Sequence, residues 1–251
     1  TGGAAAVAPE NEAADRFSEG RAAVKRDGRW GYVDSDGRWI VSQKYHYAGP
    51  FVGGLADVEE GGDAIVLVDT QGAEVASMPC ARVGQFSEGL AFAEGSPRAY
   101  GYRDRSLRWV IEPRFEDAGR FSEGLAPVRV DGLWGFVDAR GDFVIEPRFD
   151  EAGSFRDRLA AVCTGRRWGF IDLRGKIAIE PRFEAAGSFS DGLAAVRIHG
   201  RSGYIDAHGV ERIASRFEHA HPFSEGLAVA VHHGRYAYID RDGRPVFTLP
   251  G

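Results

Sequence analysis

Cysteine is scarce in this sequence of 251 residues, which has only Cys80 and Cys163. Two cysteines are too few for a disulfide framework, and they lack the spacing of metal ligands. We therefore expect both to be small core residues, with no metal and no cofactor bound. Long apolar runs are also missing, since no stretch approaches the roughly 20 residues of a membrane-spanning helix. No membrane span is expected.

Excess charge of one sign is missing as well. The sequence has 31 Lys and Arg residues against 37 Asp and Glu residues, and the basic residues are spread along the chain without a basic run. A protein that binds the phosphate backbone usually carries a basic patch, so nucleic acid is not expected as a partner. Apolar residues make up 43% of the chain, which indicates a globular protein rather than a disordered one.

The first residues, 1–11, are small and show no periodicity, and we interpret them as a flexible tail. The first residue is Thr1 rather than Met, which is compatible with processing of the N-terminus. The sequence thus leaves the compartment of this protein, cytoplasmic or exported, open.

What the sequence does contain is an internal repeat, the phrase FSEGLA with small variations. Its phenylalanines recur every 34 or 35 residues, at Phe17, Phe51, Phe86, Phe121, Phe155, Phe189 and Phe223. An aspartate column keeps the same period, at Asp34, Asp69, Asp104, Asp138, Asp172, Asp206 and Asp240. An alanine column does so too, at Ala22, Ala56, Ala91, Ala126, Ala160, Ala194 and Ala228.

Each copy is predicted to hold at least three antiparallel strands. In the fourth copy the runs LAPVRV, LWGFVDA and FVIEPRF are separated by Asp131-Gly132 and Arg140-Gly141. Such pairs with glycine favour tight hairpin turns, and similar pairs recur at Asp27-Gly28, Thr164-Gly165, His199-Gly200 and His233-Gly234. The stretch FDEAGSF is a candidate for a short fourth strand. No segment has an apolar period of 3.6, so almost no helix is expected.

Seven such copies predict an all-β protein in which residues 12–251 form one closed seven-repeat toroid, most simply a seven-bladed β-propeller. The alternative is an open β-hairpin solenoid. Gly251 falls in the column of Phe149, and Asn11 falls in the same column at the other end, so the gap between the ends equals one period. Residues 12–16 are then expected to complete the last copy beside the strand near residues 246–249. The alanine column indicates a strand that is covered on both faces.

A Trp-Gly pair marks the second strand, at Trp30-Gly31, Trp134-Gly135 and Trp168-Gly169, with Tyr100-Gly101, Ser202-Gly203 and Tyr236-Ala237 as weaker versions. Together with the downstream aspartate and the IEPRF strand, this resembles the bacterial WG-repeat family. The resemblance implies ligand or protein binding at most. The second copy departs from the pattern, with Ile65-Val66 in place of the pair. We expect the tryptophans to be largely buried, and each glycine to allow a bulge or a close backbone approach.

There are two acidic columns, and the members of the second, which begins at Glu19, could be mistaken for catalytic carboxylates. Because they recur in most copies, whereas catalysis needs one asymmetric set of residues, we expect no enzyme. The aspartate column is predicted to cap turns rather than to bind calcium. The second column is predicted either to pair with Arg114, Arg148, Arg182 and Arg216 or to accept turn N–H bonds, and comprises Glu19, Glu88, Glu123, Asp157, Asp191 and Glu225.

Departures from the repeat mark the candidate binding residues. They lie in the second copy, in the turn Gly95–Arg98 and among the late histidines, and the candidates are Glu59, Glu60, Asp63, His219, His221, His232 and His233. His219 and His221 would share one strand face, but two ligands alone do not make a metal site. We predict a monomeric, non-catalytic scaffold that binds a protein or peptide along one arc. The alternatives are a carbohydrate or small-ligand binder with pockets between blades, and simple drift of the repeat.

Overall fold

The computed structural model describes residues 11–61, 64–79, 84, 86–95 and 98–248. Within these residues the chain forms strands, turns and isolated bridges, without a helix. The chain divides into two compact units, residues 1–114 and 115–251. Most of the predicted tail, together with Asp63 and Cys80, lies outside the described residues. Nowhere in the described ranges is there a helix that could cross a membrane.

The described strands form seven antiparallel sheets that follow one another along the chain, numbered here 1 to 7. In the first unit, sheet 1 contains β1 (Ala13–Ala14), β2 (Arg21–Arg26), β3 (Arg29–Asp34) and β4 (Trp39–Tyr45), sheet 2 contains β5 (Tyr47–Ala48), β6 (Leu55–Glu59), β7 (Ala64–Asp69) and β8 (Glu74–Pro79), and sheet 3 contains β9 (Ala91–Gly95), β10 (Ala99–Arg103) and β11 (Trp109–Phe115).

The second unit continues the same pattern. Sheet 4 contains β12 (Asp117–Ala118), β13 (Ala126–Val130), β14 (Leu133–Val137) and β15 (Phe143–Phe149), sheet 5 contains β16 (Glu151–Ala152), β17 (Leu159–Thr164), β18 (Arg167–Asp172) and β19 (Ile177–Phe183), sheet 6 contains β20 (Ala185–Ala186), β21 (Ala194–Ile198), β22 (Arg201–Ile205) and β23 (Glu211–Phe217), and sheet 7 contains β24 (His219–Ala220), β25 (Ala228–His232), β26 (Arg235–Ile239) and β27 (Pro245–Thr248).

In six of the described sheets a short first strand pairs with the strand that follows it, which corrects one prediction. Ala13 lies opposite Lys25 and Ala14 opposite Val24, so residues 13–14 belong to sheet 1. Sheet 7 has its own first strand, β24. Residues 12–16 therefore do not add a strand to the last sheet, and their expected position beside residues 246–249 stays a prediction. The physical reason is the FSEGLA turn, which reverses the chain at once and brings the segment before it against the strand after it.

The hairpin between the second and third strands of a sheet turns through two residues with positive φ. Asp131 has a φ of 49° and Gly132 a φ of 77°, as the residue pair predicted. In sheet 5 the two central residues are Gly165 and Arg166, so this turn lies one residue later than predicted. The amide of Gly132 donates to a carboxylate oxygen of Glu116, which precedes β12, at 3.1 Å.

The glycine of the Trp-Gly pair lies where the opposite strand comes close. A Cβ atom at Gly135 would lie 2.6 Å from the carbonyl oxygen of Ile145. The register between β14 and β15 shifts at this point, so the predicted bulge and the predicted close approach are both present. Trp134 and Trp168 pack against the core but remain partly exposed, so the expectation that they are largely buried is too strong.

The hydrophobic core lies between consecutive sheets. In four copies the aromatic residue that follows the Trp-Gly column packs against the phenylalanine of the next FSEGLA turn, as Phe136 does against Phe155. The strand that carries the alanine column is covered on both faces, since Leu159, Ala160, Ala161 and Val162 of β17 are all buried. Within each unit, consecutive sheets thus share a core.

Candidate functional site

The aspartate column caps turns, as predicted. Asp138 accepts the amide protons of Arg140 and Asp142 through its Oδ1 atom, at 2.8 and 3.0 Å. All seven aspartates make this pair of bonds, namely Asp34, Asp69, Asp104, Asp138, Asp172, Asp206 and Asp240. A hydrogen bond from the Ser106 hydroxyl and the turn amides holds the pKa of the Asp104 carboxyl below its usual value. These oxygens are therefore committed to the backbone.

The acidic column of the FSEGLA turns links one turn to the next. The carboxylate of Glu19 accepts the amides of Gly53 and Gly54, the latter at 2.8 Å. These two amides lower the pKa of Glu19. Asp191 accepts the amide of Gly226 at 2.8 Å in the same way. Of the two structural roles considered for this column, accepting turn N–H bonds is the one observed.

The arginine column has different partners. Arg182 Nη2 donates to the carbonyl oxygen of Gly209 at 2.7 Å, and Arg216 Nη2 donates to that of Gly243 at 2.7 Å. Each guanidinium also lies over the ring of the phenylalanine that follows it, Arg182 at 5.0 Å from the centroid of Phe183. These arginines therefore stabilise the contact between consecutive repeats through carbonyl and ring contacts.

His219 and His221 line one crevice, between sheet 6 and β24. The crevice has a volume of about 460 Å³, and its other lining residues include Arg197 and Ser202. Small residues of sheet 6 also contribute, as Ala185 does. Both histidines are exposed. The structure thus brings together two of the predicted candidates with Ser202, which stands at the tryptophan position of the Trp-Gly pair.

The backbone at His221 is held from both sides. Its amide donates to the carbonyl of Val229 at 2.9 Å, and its carbonyl accepts the hydroxyl proton of Tyr204 at 2.7 Å. His219 lies opposite Val231 in the sheet, so the two histidines share one face, as their spacing predicted. Among the described residues, no group of three His, Cys, Asp or Glu side chains could hold a metal ion. The sequence did not single out Tyr204, although it occupies the aromatic column that sets such contacts.

His232 and His233 are exposed at the hairpin between β25 and β26. Their ring centroids lie 4.1 Å apart, and the ring of His232 is edge-on to Phe217 at 5.9 Å. Neither of the two is among the residues that line the crevice of His219. They lie at one end of sheet 7 and contact each other and the end of β23.

The acidic candidates of the second copy belong to the first unit. Glu60 accepts a hydrogen bond from Lys44 Nζ at 2.5 Å, and this bond raises the pKa of that lysine. Glu59 ends β6 and lies opposite Tyr47. Asp63 and residues 96–97 of the third-copy turn lie outside the described residues. The common binding arc stays a prediction.

An equivalent crevice lies between sheets 5 and 6. Its volume is about 540 Å³, and its lining includes Glu151, Cys163, Trp168 and Glu184. Trp168 occupies the column of Ser202. The crevice between sheets 5 and 6 is therefore lined by an indole where the crevice of His219 is lined by a hydroxyl. Cys163 is a buried free thiol, as predicted, and burial raises its pKa. Crevices therefore recur between consecutive repeats, but with different side chains.

Several solved structures are similar to this fold. The chain aligns with the computationally designed Ika8 protein (TM-score 0.59, 12% identity, 96% of this chain and 86% of that chain). It aligns with BamB from Moraxella catarrhalis (0.52, 13%, 90% and 79%) and with KlHsv2 whose loop 6CD is replaced by a Gly-Ser linker (0.55, 10%, 90% and 91%). BamB and Hsv2 are propeller-like, and at such identities the likeness shows the fold alone. The predicted all-β, propeller-like class is thereby confirmed.

No curated protein matches the sequence. The family model described as WG containing repeat matches six segments, residues 6–30, 30–62, 100–134, 134–167, 168–201 and 203–236. The unmatched interval between residues 62 and 100 contains Ile65-Val66, where the pair is lost. Because the six segments cover well over half of the sequence, the chain belongs to the WG containing repeat family.

Proposed function

We propose that this protein is a non-catalytic binding module that recognises a protein or peptide, and that the crevice between sheet 6 and β24 is part of the recognition surface. The observation that carries the proposal is the convergence of repeat departures. Ser202 replaces the aromatic residue of its column and His221 replaces the glycine of its column, and both line the same crevice together with His219. Random drift has no reason to place its substitutions around one crevice.

The shape and lining of this crevice suit a side chain of a bound peptide. A volume of about 460 Å³ lies toward the small end of ligand sites, which span roughly 300–1,000 Å³. Alanines form much of the wall, while Ser202 and the two histidines supply polar groups. The hydrogen bonds at His221 fix the wall before binding, so little ordering is lost when a partner docks.

The recurring carboxylates support the non-catalytic part of the proposal. Catalysis by paired carboxylates needs unlike environments, with one group ready to take or give a proton. The aspartate column instead accepts two amide protons in every copy, and the Glu19 column accepts amides of the following turn. Such carboxylates are stabilising elements of the repeat.

A second candidate function is the binding of a carbohydrate or another small ligand in several crevices. The observation that favours it is the equivalent crevice between sheets 5 and 6, which Trp168 lines. An indole beside carboxylates such as Glu151 and Glu184 can stack on a sugar ring and accept its hydroxyl protons. A ligand of this class would occupy more than one site per chain.

Stoichiometry separates the two functions. A partner captured from native extract would be identified, purified and titrated into the chain by calorimetry, and sugars would be titrated in parallel. We expect one partner per chain and a loss of at least about tenfold in affinity for His219→Ala with His221→Ala, as for a contact at the centre of an interface.

Two further variants complete the test. Charge reversal of Glu59 and Glu60 examines the predicted common arc, and Arg140→Ala serves as a control in a regular copy. The proposed surface would be overturned if the folded histidine variant binds the partner with unchanged affinity while Arg140→Ala binds it more weakly. Several equivalent sugar sites per chain would favour the second function instead.

A further inference from the structure

The FSEGLA turn of the fifth copy reads FRDRLA, with arginines where other copies have serine and glycine. Arg156 stands in a column that has serine in five copies. Arg158 stands in a column that has glycine in the other six copies, at Gly20, Gly54, Gly89, Gly124, Gly192 and Gly226. The turn therefore carries two positive and one negative side chain, where the common version carries a single negative one.

Arg158 keeps the backbone conformation of those glycines. Its φ is 63°, while the six glycines have φ between 74° and 84°. A side chain in this left-handed region is unfavourable, because its Cβ crowds the backbone. Residues that hold such a conformation against the local preference cluster at functional sites. The amide of Arg158 still donates to the Glu123 carboxylate at 3.0 Å, so the turn itself is intact.

Arg158 lines a crevice of about 450 Å³ together with Arg174, which lies on the turn between β18 and β19. Leu159, Leu173 and Ala207 supply apolar surface to the same crevice. This crevice is distinct from the one at His219, with which it shares no lining residue. Two arginines and an apolar wall therefore line one concave site.

The space exists because one side chain is small. In the third copy Arg105 donates to the carbonyl of Val52, and in the seventh copy Arg241 donates to the carbonyl of Asp191. Both arginines reach the FSEGLA turn of the preceding copy. Ala207 is the sixth-copy residue in that column, so no guanidinium reaches the turn of Arg158 from it. The fifth copy thus presents its own arginine beside a space into which Arg105 and Arg241 reach in two other copies.

The carboxylates of this crevice have hydrogen-bond partners within the chain, whereas its two arginines have no ion-pair partner among the described residues. Asp172 accepts the amides of Arg174 and Lys176, and Asp157 accepts the amide of Gly192. Across the described ranges, by contrast, no carboxylate lies within ion-pair distance of the guanidinium of Arg158 or Arg174. Both guanidiniums keep their donors available for a ligand.

From this geometry we propose that the crevice is a binding site for a phosphate monoester. A phosphate carries a charge of about −2 near neutral pH and accepts paired hydrogen bonds from arginine. Arg158 and Arg174 hold the phosphate oxygens, and the organic group of the ligand packs on Leu159, Leu173 and Ala207. This site goes beyond the proposed recognition of a protein or peptide, and its function does not depend on that proposal.

Calorimetric titration with phenyl phosphate tests the site on the whole chain. We expect one saturable site, and a weakening of at least about tenfold in Arg158→Gly and in Arg174→Ala, because each removes charge-assisted hydrogen bonds. Arg158→Gly restores the residue of the other six copies, so it should fold normally. Two matched controls, Arg156→Ser in the same turn and Arg140→Ala in the preceding copy, should bind within about twofold of the parent, because their charges act only at long range.

Three results would overturn the proposal. The first is the absence of saturable binding. The second is an equal weakening by all four variants, which would indicate nonspecific attraction to a basic surface. The third is equal affinity for benzoate, which would contradict the assignment to phosphate.

Discussion

The ring of Phe170 stands edge-to-face on the ring of Phe189, with 4.9 Å between the centroids, although the two residues belong to consecutive repeats. The same contact joins Tyr32 to Phe51 at 4.7 Å and Tyr204 to Phe223 at 4.8 Å. In these pairs the aromatic residue of one repeat is therefore buried by the next repeat as well as by its own. The stability of such a stack depends on contacts between neighbours.

Replacing Phe170 with Ala should be strongly destabilising. The side chain is 0% exposed and takes part in a core that spans sheets 5 and 6. We expect a loss of about 3–5 kcal/mol in the free energy of unfolding, as for other large truncations in a core. Urea denaturation measures it, with Val144→Ala, an exposed position in β15, as the control at about 0.5 kcal/mol or less. Equal midpoints for the two variants would contradict the packing described.

Trp168→Ala should cost less than Phe170→Ala. Trp168 packs against the same core but is partly exposed at the edge of the crevice that contains Cys163. Since less surface returns to water, we expect a loss of about 1–3 kcal/mol. The measurement is the same denaturation series. A loss as large as that of Phe170→Ala would show that the tryptophan, and not the following aromatic residue, is the main contact of the repeat.

The Trp-Gly glycine should be needed only where the register shifts at the glycine itself, as it does between Trp134 and Phe136. At Gly135 the approach of Ile145 leaves no room for a side chain, so Gly135→Ala should cost about 1–3 kcal/mol through overpacking. In sheet 7 the same column holds Ala237, which lies in register opposite Thr248. Ala237→Gly should therefore gain nothing and cost about 0.5–1 kcal/mol. Urea denaturation measures both variants. An unchanged free energy of unfolding for Gly135→Ala would contradict the steric explanation of the motif.

The sequence predicts the repeat, the strands, the turns and the capping aspartates, because these are local. Asp131-Gly132 specifies its own turn, and Asp138 needs only the residues directly after it. The partner of the short strand was predicted wrongly, because the pairing of Ala13 with Lys25 depends on how sharply the FSEGLA turn reverses the chain. Crevices depend on side chains from different repeats, as with Arg158 and Ala207, and no spacing in one repeat reveals them. Closure of the repeats into a ring stays a prediction.

Acid should weaken the contact between the first two FSEGLA turns. The amides of Gly53 and Gly54 hold the pKa of Glu19 below its ordinary value of 4.5. The unfolded chain therefore takes up a proton at this residue before the folded chain does. The contribution of Glu19 to stability is complete above about pH 4.5 and is lost as the pH falls through the lower, folded pKa.

Glu19→Gln provides the comparison for this effect. An amide side chain does not titrate, so the difference in urea midpoint between parent and variant should be largest near neutral pH and should shrink in acid. The measurement is a pair of urea curves at pH 7 and near pH 3. A difference that stays constant between these values would contradict the role of the Glu19 carboxylate as an acceptor.

Arg158 should reduce the stability of the protein that carries it. It adopts a φ of 63° in a column where glycine takes this conformation without steric cost. Arg158→Gly should therefore raise the free energy of unfolding by about 1 kcal/mol, since the left-handed penalty for a non-glycine residue is about 1–2 kcal/mol and glycine loses some of this gain through its more flexible unfolded state. The reverse change, Gly226→Ala, provides the control. Gly226 has a φ of 81°, and a Cβ atom there would meet no atom within 4 Å. Any decrease in the free energy of unfolding of this variant is therefore due to the backbone conformation alone. We expect a loss of about 1 kcal/mol for Gly226→Ala in urea denaturation. If Arg158→Gly is instead destabilising, Arg158 makes stabilising contacts within the chain, and its retention needs no ligand to explain it.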